Sequence, residues 1–138
     1  MNPKIELPVS HTFKKEERLC SKKVIEKLFS EGESFLAFPL KVVHLQTKLP
    51  GPYPIKAGFT VSKKIFKRAV KRNRIKRLMR ETFRLNKQLL PKFSQNTQVA
   101  VFFIFIGKEL PKFQQMEKAM KKALYKLNEA YSEPDDKA

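Results

Sequence analysis

The stretch QVAVFFIFI, residues 98–106, restricts the fold more than any other part of the sequence. Every position after Gln98 carries an apolar side chain, and most of these side chains are aromatic or β-branched. A strand with one face in water alternates polar and apolar residues, whereas an uninterrupted apolar run is typical of a strand buried on both faces. We therefore expect this segment to form a buried strand, as in the parallel part of a sheet.

The patterns on either side of this run predict three helices and three further strands. The predicted helices lie within residues 20–32, from about Lys67 to Asn86, and from Phe113 to Tyr131, and the predicted strands are SFLAF (34–38), LKVVHLQ (40–46) and IKAGFTVS (55–62). Ser21 is expected to cap the first helix, Gly32 to end it, and Gly58 to mark a bulge or a close packing contact.

The resulting order, α-β-β-β-α-β-α, predicts an α+β sandwich with a mixed four-stranded sheet. A length of 138 residues fits one domain. We expect residues 1–138 to form that single domain, with flexible ends at residues 1–12 and 132–138.

Several features predict a cytoplasmic protein without a membrane partner. No segment approaches the roughly 20 consecutive apolar residues of a membrane span. The N-terminus, MNPKIELPVSH, lacks the apolar run of a secretory signal. The single cysteine, Cys20, cannot form an internal disulfide and fits a reducing compartment.

The positive charge of the chain is concentrated in one segment. The net charge is +17. Repulsion among these like charges destabilises the folded chain unless a polyanionic partner is bound. Eleven basic residues and only one acidic residue, Glu81, lie between Lys63 and Arg84, and six of the seven arginines lie between Arg68 and Arg84. Arginine forms bidentate contacts with phosphates, whereas lysine alone would serve a membrane surface. The segment therefore favours nucleic acid.

The predicted helix in this segment has a core face and a basic face. At about 100° per residue, the core face comprises Ile75, Leu78, Met79, Thr82 and Phe83. The outer stripe, on the opposite side, comprises Asn73, Arg77, Arg80 and Arg84, with Arg72, Lys76 and Arg74 on the two flanks. Solvated faces usually mix charges of both signs, because like charges four residues apart repel. We expect RNA rather than DNA, since helix-turn-helix domains are mostly helical and this chain has four predicted strands.

The residues that a nuclease would need are not clustered in the sequence. The only aspartates, Asp135 and Asp136, lie in the C-terminal tail, away from the basic helix. His11 lies in the loose N-terminus, and His44 lies in an alternating strand where a packed or surface role is favoured. Cys20 has no recognisable nucleophile context. The chain alone therefore has the features of a binding protein, although an independent nuclease that uses His44 stays an alternative.

Two adjacent motifs closely resemble the signature of the bacterial ribonuclease P protein family. The first is GFTVSKK, residues 58–64, and the second is RAVKRNRIKRLMRE, residues 68–81. The early segment beginning FKKEERL, residues 13–19, is also similar to the start of that family. The resemblance extends from Phe13 to Tyr131, and its central motif is highly specific.

This resemblance implies a fold and a function. In the family, the β-α-β unit around the basic helix crosses over with left-handed sense, an exception to the usual right-handed rule. The enzyme removes the 5′ leader of precursor tRNA, and its catalytic RNA subunit carries out the chemistry with Mg²⁺. The protein binds that RNA and the leader, so its implied partners are the catalytic RNA and precursor tRNA. It holds no metal or other cofactor itself.

The resemblance also implies two groups of site residues. The predicted RNA-binding residues are Ser62, Lys63, Lys64, Arg68, Arg72, Asn73, Arg74, Lys76, Arg77 and Arg80, and Arg84 joins them from the outer stripe. The predicted leader cleft, between the first helix and the sheet, comprises Ile25, Phe29, Phe38, Val43, Lys76 and Arg80. Simple core packing is the alternative role for Phe29, and a ribosomal or general RNA-chaperone protein is the alternative function.

Overall fold

The computed structural model describes residues 18–19, 21–49, 51, 54–90 and 98–131. Its elements are α1 (Lys22–Glu31), β1 (Glu33–Ala37), β2 (Leu40–Gln46), β3 (Ile55–Val61), α2 (Ala69–Asn86), a short 3-10 helix (Lys87–Leu89), β4 (Val99–Phe105) and α3 (Phe113–Tyr131). The predicted element order is confirmed. The predictions for residues 1–12 and 132–138, and those for His11 and Cys20, fall outside the described residues.

The apolar run forms β4, which lies inside a mixed sheet of order β1-β2-β4-β3. It pairs with β2 in antiparallel and with β3 in parallel orientation, so that Phe102 lies opposite both Val43 and Gly58. The prediction of an α+β domain with a mixed four-stranded sheet is confirmed. The parallel pairing makes β3-α2-β4 a crossover unit, whose left-handed sense stays a prediction.

The larger hydrophobic core lies on one face of the sheet, beneath α2 and α3. It includes alternate residues of β4, namely Val99, Val101, Phe103 and Phe105, together with Ile75, Met79 and Phe83 of α2. The ring of Phe83 lies 5.6 Å from that of Phe103 and 5.9 Å from that of Phe59, measured between centroids. The core face predicted for the basic helix is therefore the face that packs on the sheet.

Helix α1 packs on the opposite face of the sheet. Leu28 is fully buried there with Val43 and Ala100. The Ser21 hydroxyl caps α1 by accepting a hydrogen bond from the backbone N–H of Val24 at 3.3 Å, as predicted. Helix α1 ends at Gly32, which has an extended rather than left-handed backbone. A Cβ at Gly32 would lie only 2.4 Å from the Leu28 carbonyl oxygen, so this glycine is required by close backbone approach.

The end of α3 is fastened to the sheet by a buried histidine. Nδ1 of His44 lies 2.7 Å from the hydroxyl of Tyr131, and the two rings meet edge to face. Burial lowers the pKa of His44, an effect that Glu33 partly opposes. Burial also raises the pKa of Tyr131 to about 12, so the phenol stays protonated. The packed role predicted for His44 is therefore confirmed.

We predict that the fold loses stability as the pH falls through the range in which free histidine titrates. Unfolded His44 takes up a proton near pH 6.5 (about its ordinary pKa), whereas the folded residue, with its lowered pKa, does so only at lower pH. The unfolded state then binds more protons, so the urea midpoint should decrease between roughly pH 7.5 and pH 5.5. His44→Gln should flatten this decrease, and His11→Gln serves as the control. Equal slopes for wild type and His44→Gln would contradict the prediction.

Candidate nucleic-acid interface

The connector between β3 and α2 is a closed turn that presents two lysines. The Ser62 hydroxyl accepts a hydrogen bond from the Lys64 N–H at 3.2 Å, and the Ser62 carbonyl accepts one from the Phe66 N–H at 3.0 Å. Phe66 is buried, and its ring packs against that of Phe105. These contacts fix the backbone of the turn while the side chains of Lys63 and Lys64 stay exposed.

Arg72 holds this connector against the first turns of α2. Its guanidinium nitrogen Nη1 donates to the carbonyl oxygens of Phe66 and Lys67, each at 2.8 Å. Arg68 precedes the helix in an extended conformation, so α2 starts at Ala69, two residues later than predicted. In the structure, Arg72 thus helps to hold the connector that carries the exposed lysines. Its predicted contact with RNA stays a prediction.

The other residues of α2 that were predicted to bind RNA lie outside the core. Asn73, Arg74 and Arg77 are exposed, and Lys76 and Arg80 are half-buried. Within the described residues, no ion pair or side-chain hydrogen bond involves Arg74, Arg77 or Arg80. Their guanidinium groups are therefore available for an external anion such as a phosphate.

Arg84 differs from the rest of the outer stripe, because Glu81 pairs with it. Nη2 of Arg84 lies 2.6 Å from Oε2 of Glu81, and this hydrogen bond lowers the pKa of the Glu81 carboxyl. The single acidic residue of the segment thus neutralises the last arginine of the stripe. An RNA phosphate would have to compete with Glu81 for Arg84, so the availability of this residue is lower than that of Arg77.

Helix α1 covers only part of its face of the sheet and leaves a partly exposed apolar surface around Phe29 and Phe102, called the cleft below. Phe29 is 48% exposed, and its ring meets that of Phe102 edge to face with centroids 5.3 Å apart. Phe102 in turn packs with Ile25 and Val43. The structure therefore brings together Ile25, Phe29 and Val43, three of the residues predicted for the leader cleft.

The floor of the cleft depends on Gly58. A Cβ at this position would lie 2.1 Å from Cε1 of Phe102, so only glycine leaves room for the Phe102 ring to lie across β3. This confirms close packing rather than a bulge at Gly58. The sequence did not identify Phe102 as a cleft residue, because an uninterrupted apolar run does not indicate which of its side chains stays half-exposed.

Leu36 is a further exposed apolar residue on the α1 side of the sheet. It is 56% exposed and lies opposite Lys41 in the β1–β2 pair. Residues two apart on a strand share a face, so Leu36 and Lys41 lie on the same side of the sheet as Val43. The side of the sheet on which Leu36 lies follows only from the observed register of β1 and β2.

Phe38 lies on the other side of the sheet and does not join these cleft residues. It occupies the turn between β1 and β2, where it lines a groove with Phe105 and with Ala119 of α3. Phe105 and Ala119 belong to the core beneath α2 and α3. The prediction that Phe38 belongs to the leader cleft is therefore not supported by the geometry.

Arg80 lies well around α2 from the side that contacts α3, and Lys76 lies between that side and Arg80. The α3 side of α2 is marked by Asn86, whose amide Nδ2 lies 3.2 Å from Oε2 of Glu117. At about 100° per residue, Arg80 is separated from Asn86 by about 120° around the helix. Helix α2 packs on the edge strand β3. Because α2 and the cleft residues lie on opposite faces of the sheet, the two cations do not line the cleft itself.

Comparison with known proteins identifies the family of this chain. Residues 13–128 match the protein-family model described as Ribonuclease P. The chain belongs to the ribonuclease P protein family. A relative from Porphyromonas gingivalis, named ribonuclease P protein component, is 41% identical over 123 residues, which cover 87% of this chain and 89% of the relative.

Solved structures of ribonuclease P proteins share the fold. The protein from Thermotoga maritima has a TM-score of 0.64 and 25% identity, and the alignment covers 80% of this chain and 96% of that one. The protein from Staphylococcus aureus has a TM-score of 0.65 at 21% identity, covering 86% of this chain and 100% of that one. At that identity the likeness shows the fold alone.

Across the described part of the chain, no three His, Cys, Asp or Glu side chains are grouped so that they could hold a metal ion. Among the same residues, no helix combines the length and apolar character that a membrane span requires.

Proposed function

We propose that this chain is the protein subunit of ribonuclease P and acts in the cytoplasm. It binds the catalytic RNA subunit and the 5′ leader of precursor tRNA, and so assists removal of the leader. The observation that carries the proposal is the presence of two surfaces in a member of this family: the exposed Phe29–Phe102 ring pair on one face of the sheet, and on the other face a helix whose Arg74, Arg77 and Arg80 form no ion pair within the described residues. Aromatic rings and cations on one protein suit a single-stranded RNA.

The two surfaces divide the RNA contacts between them. The exposed outer side of α2, with Asn73 and Arg77, contacts the phosphates of the catalytic RNA. The half-exposed ring of Phe29 provides a stacking surface for a leader base. Lys76 and Arg80, on the helix that packs on β3, contact phosphates where the leader passes the edge of the sheet. This division assigns a separate RNA to each side of the basic helix.

Catalysis is assigned to the RNA subunit with its Mg²⁺ ions, and the protein supplies binding and orientation. Among the residues that an independent nuclease would use, His44 is buried and hydrogen-bonded to Tyr131. A general acid or base has to come within hydrogen-bond reach of the substrate, which this burial hinders. The geometry therefore favours a binding role over a nuclease that uses His44.

Cleavage assays on precursor tRNA test the proposal. The purified protein alone should leave precursor tRNA intact, whereas protein and cognate RNA subunit together should cleave it at lower Mg²⁺ concentration than RNA alone. Cleavage by the protein alone that is abolished by His44→Ala would contradict the proposal. Sequencing the RNA that co-purifies with the protein separates the RNA-chaperone alternative, which requires ribosomal RNA without enrichment of the ribonuclease P RNA.

We predict that Arg77→Ala weakens binding of the catalytic RNA more than Arg84→Ala does. Both changes remove one positive charge, but Arg84 is already paired with Glu81. Loss of a hydrogen bond to a charged group costs about 1.5 kcal/mol, which corresponds to roughly tenfold in affinity. Arg77→Ala should also reduce the slope of log affinity against log salt by about 0.7 to 0.9. Equal effects of the two variants would indicate that both arginines act only through the overall positive potential of the protein, without a specific contact between Arg77 and a phosphate.

We predict that Phe29→Ala weakens binding of leader-bearing tRNA by the holoenzyme about fivefold or more, because base–aromatic stacking is worth about 1–3 kcal/mol. Mature tRNA, which has no leader, should bind as before. Tyr125→Ala is the matched control, since Tyr125 is an exposed aromatic residue on α3, across the sheet. Equal losses of affinity for the two tRNAs would indicate that Phe29 contributes only to packing.

A further inference from the structure

A second groove lies on the α3 side of the sheet, away from the leader cleft. It has a volume of about 640 Å³, within the range of about 300–1,000 Å³ that small-molecule sites occupy. Its apolar lining includes Phe38, Pro39, Phe105, Leu110 and Ala119, and its polar lining includes Lys108, Glu109, Gln115, Lys118 and Lys122. The groove is thus apolar at its floor and mainly basic at its rim.

The wall of the groove that carries Phe38 is held in place by backbone contacts. The N–H of Ile106 donates to the Pro39 carbonyl at 2.8 Å, which ties the β1–β2 turn to the end of β4. A Cβ at Gly107 would lie 2.8 Å from Cζ of Phe105 and 3.1 Å from Cβ of Pro39. Nζ of Lys126 donates to the Leu36 carbonyl at 2.9 Å and so joins α3 to β1. The groove is therefore already formed in the free protein.

Phe38 gives the groove an aromatic surface that the fold does not use. Its side chain is 73% exposed, more than that of Phe29. Core packing does not explain an aromatic residue that is this exposed in a fixed turn. A flat ring at the edge of a preformed groove is suited to stacking against another flat ring.

The polar rim is positively charged and has unused donors. Three lysines face one glutamate, and within the described residues no ion pair or side-chain hydrogen bond involves Lys108, Lys118 or Lys122. Oε1 of Gln115 accepts a hydrogen bond from the Lys112 N–H at 2.9 Å. This contact orients the amide and leaves its NH₂ group to donate to a ligand. The rim therefore favours an anionic ligand with acceptor atoms.

We propose that this groove binds an unpaired nucleotide of the RNA subunit, with its base stacked on Phe38 and its phosphates near Lys118 and Lys122. The sheet separates the groove from the cleft assigned to the leader, so the leader is not the expected occupant. A second copy of the chain would bring its own net charge of +17 toward the lysines. The inference rests on the proposed function only in that the partner is the ribonuclease P RNA.

Binding of the cognate RNA subunit to the full-length protein tests this site. Phe38→Ala should weaken binding on the order of tenfold, as expected for loss of one base–aromatic stack. Tyr125→Ala, which removes an exposed aromatic residue that does not line the groove, should leave the affinity unchanged. Because Phe38 is exposed, the thermal midpoint should stay at the wild-type value.

A charge variant provides a second, independent measurement. The double substitution Lys118→Gln and Lys122→Gln should reduce the slope of log affinity against log salt by roughly 1.4 to 1.8, the value for two lost phosphate contacts. Lys121→Gln with Lys23→Gln is the control of equal charge, since neither residue lines the groove. An equal reduction for the two double variants would overturn the assignment of these contacts to the groove.

Three outcomes would overturn the proposed site. Unchanged affinity of Phe38→Ala for the RNA subunit would exclude the stacking contact. A loss seen only when the assembled holoenzyme binds precursor tRNA would place the substrate, not the RNA subunit, in the groove. Dimers of the free protein that dissociate on Phe38→Ala substitution would identify a second copy as the occupant. Failure of the wild-type protein to bind the RNA subunit at all would instead contradict the proposed function.

Discussion

Burial of β4 between two layers determines how the rest of the chain is arranged. This strand pairs with β2 on one side and β3 on the other, and both of its faces are apolar. Helices α2 and α3, of 18 and 19 residues, cover one face fully. Helix α1 has only 10 residues, about 15 Å of helix, and leaves Phe102 and Ile104 half-buried. The cleft therefore results from covering a buried strand with a short helix.

The shape of the cleft floor then depends on one missing side chain. Because Gly58 has no Cβ, the ring of Phe102 can lie across β3, and the ring of Phe29 can meet it edge to face. Adding even one methyl group to such a packed site commonly costs about 1–3 kcal/mol. The aromatic surface proposed to receive the leader is thus built by the packing that holds the sheet together.

The element types and most boundaries could be predicted from the sequence, because local pattern decides them. The bounds of β2 and α3 agree with the prediction, and the period of apolar residues in α2 identified its packed face. The side of the sheet on which Phe38 and Phe102 lie could not be predicted, since it depends on strand register and on how far α1 extends. The pairing of Arg84 with Glu81, and the use of Arg72 to hold the connector, depend on side-chain conformations that a residue pattern does not specify.

The balance of energies on α2 explains why its outer side can stay so basic. Burial of each of Ile75, Met79 and Phe83 contributes about 1.5–3 kcal/mol to folding, whereas each like-charged pair four residues apart costs about 0.2–0.5 kcal/mol. The packed face therefore holds the helix in place in spite of the repulsion. Because Arg74, Arg77 and Arg80 form no ion pair within the described residues, a bound polyanion of the kind proposed above would remove this repulsion as its phosphates approach.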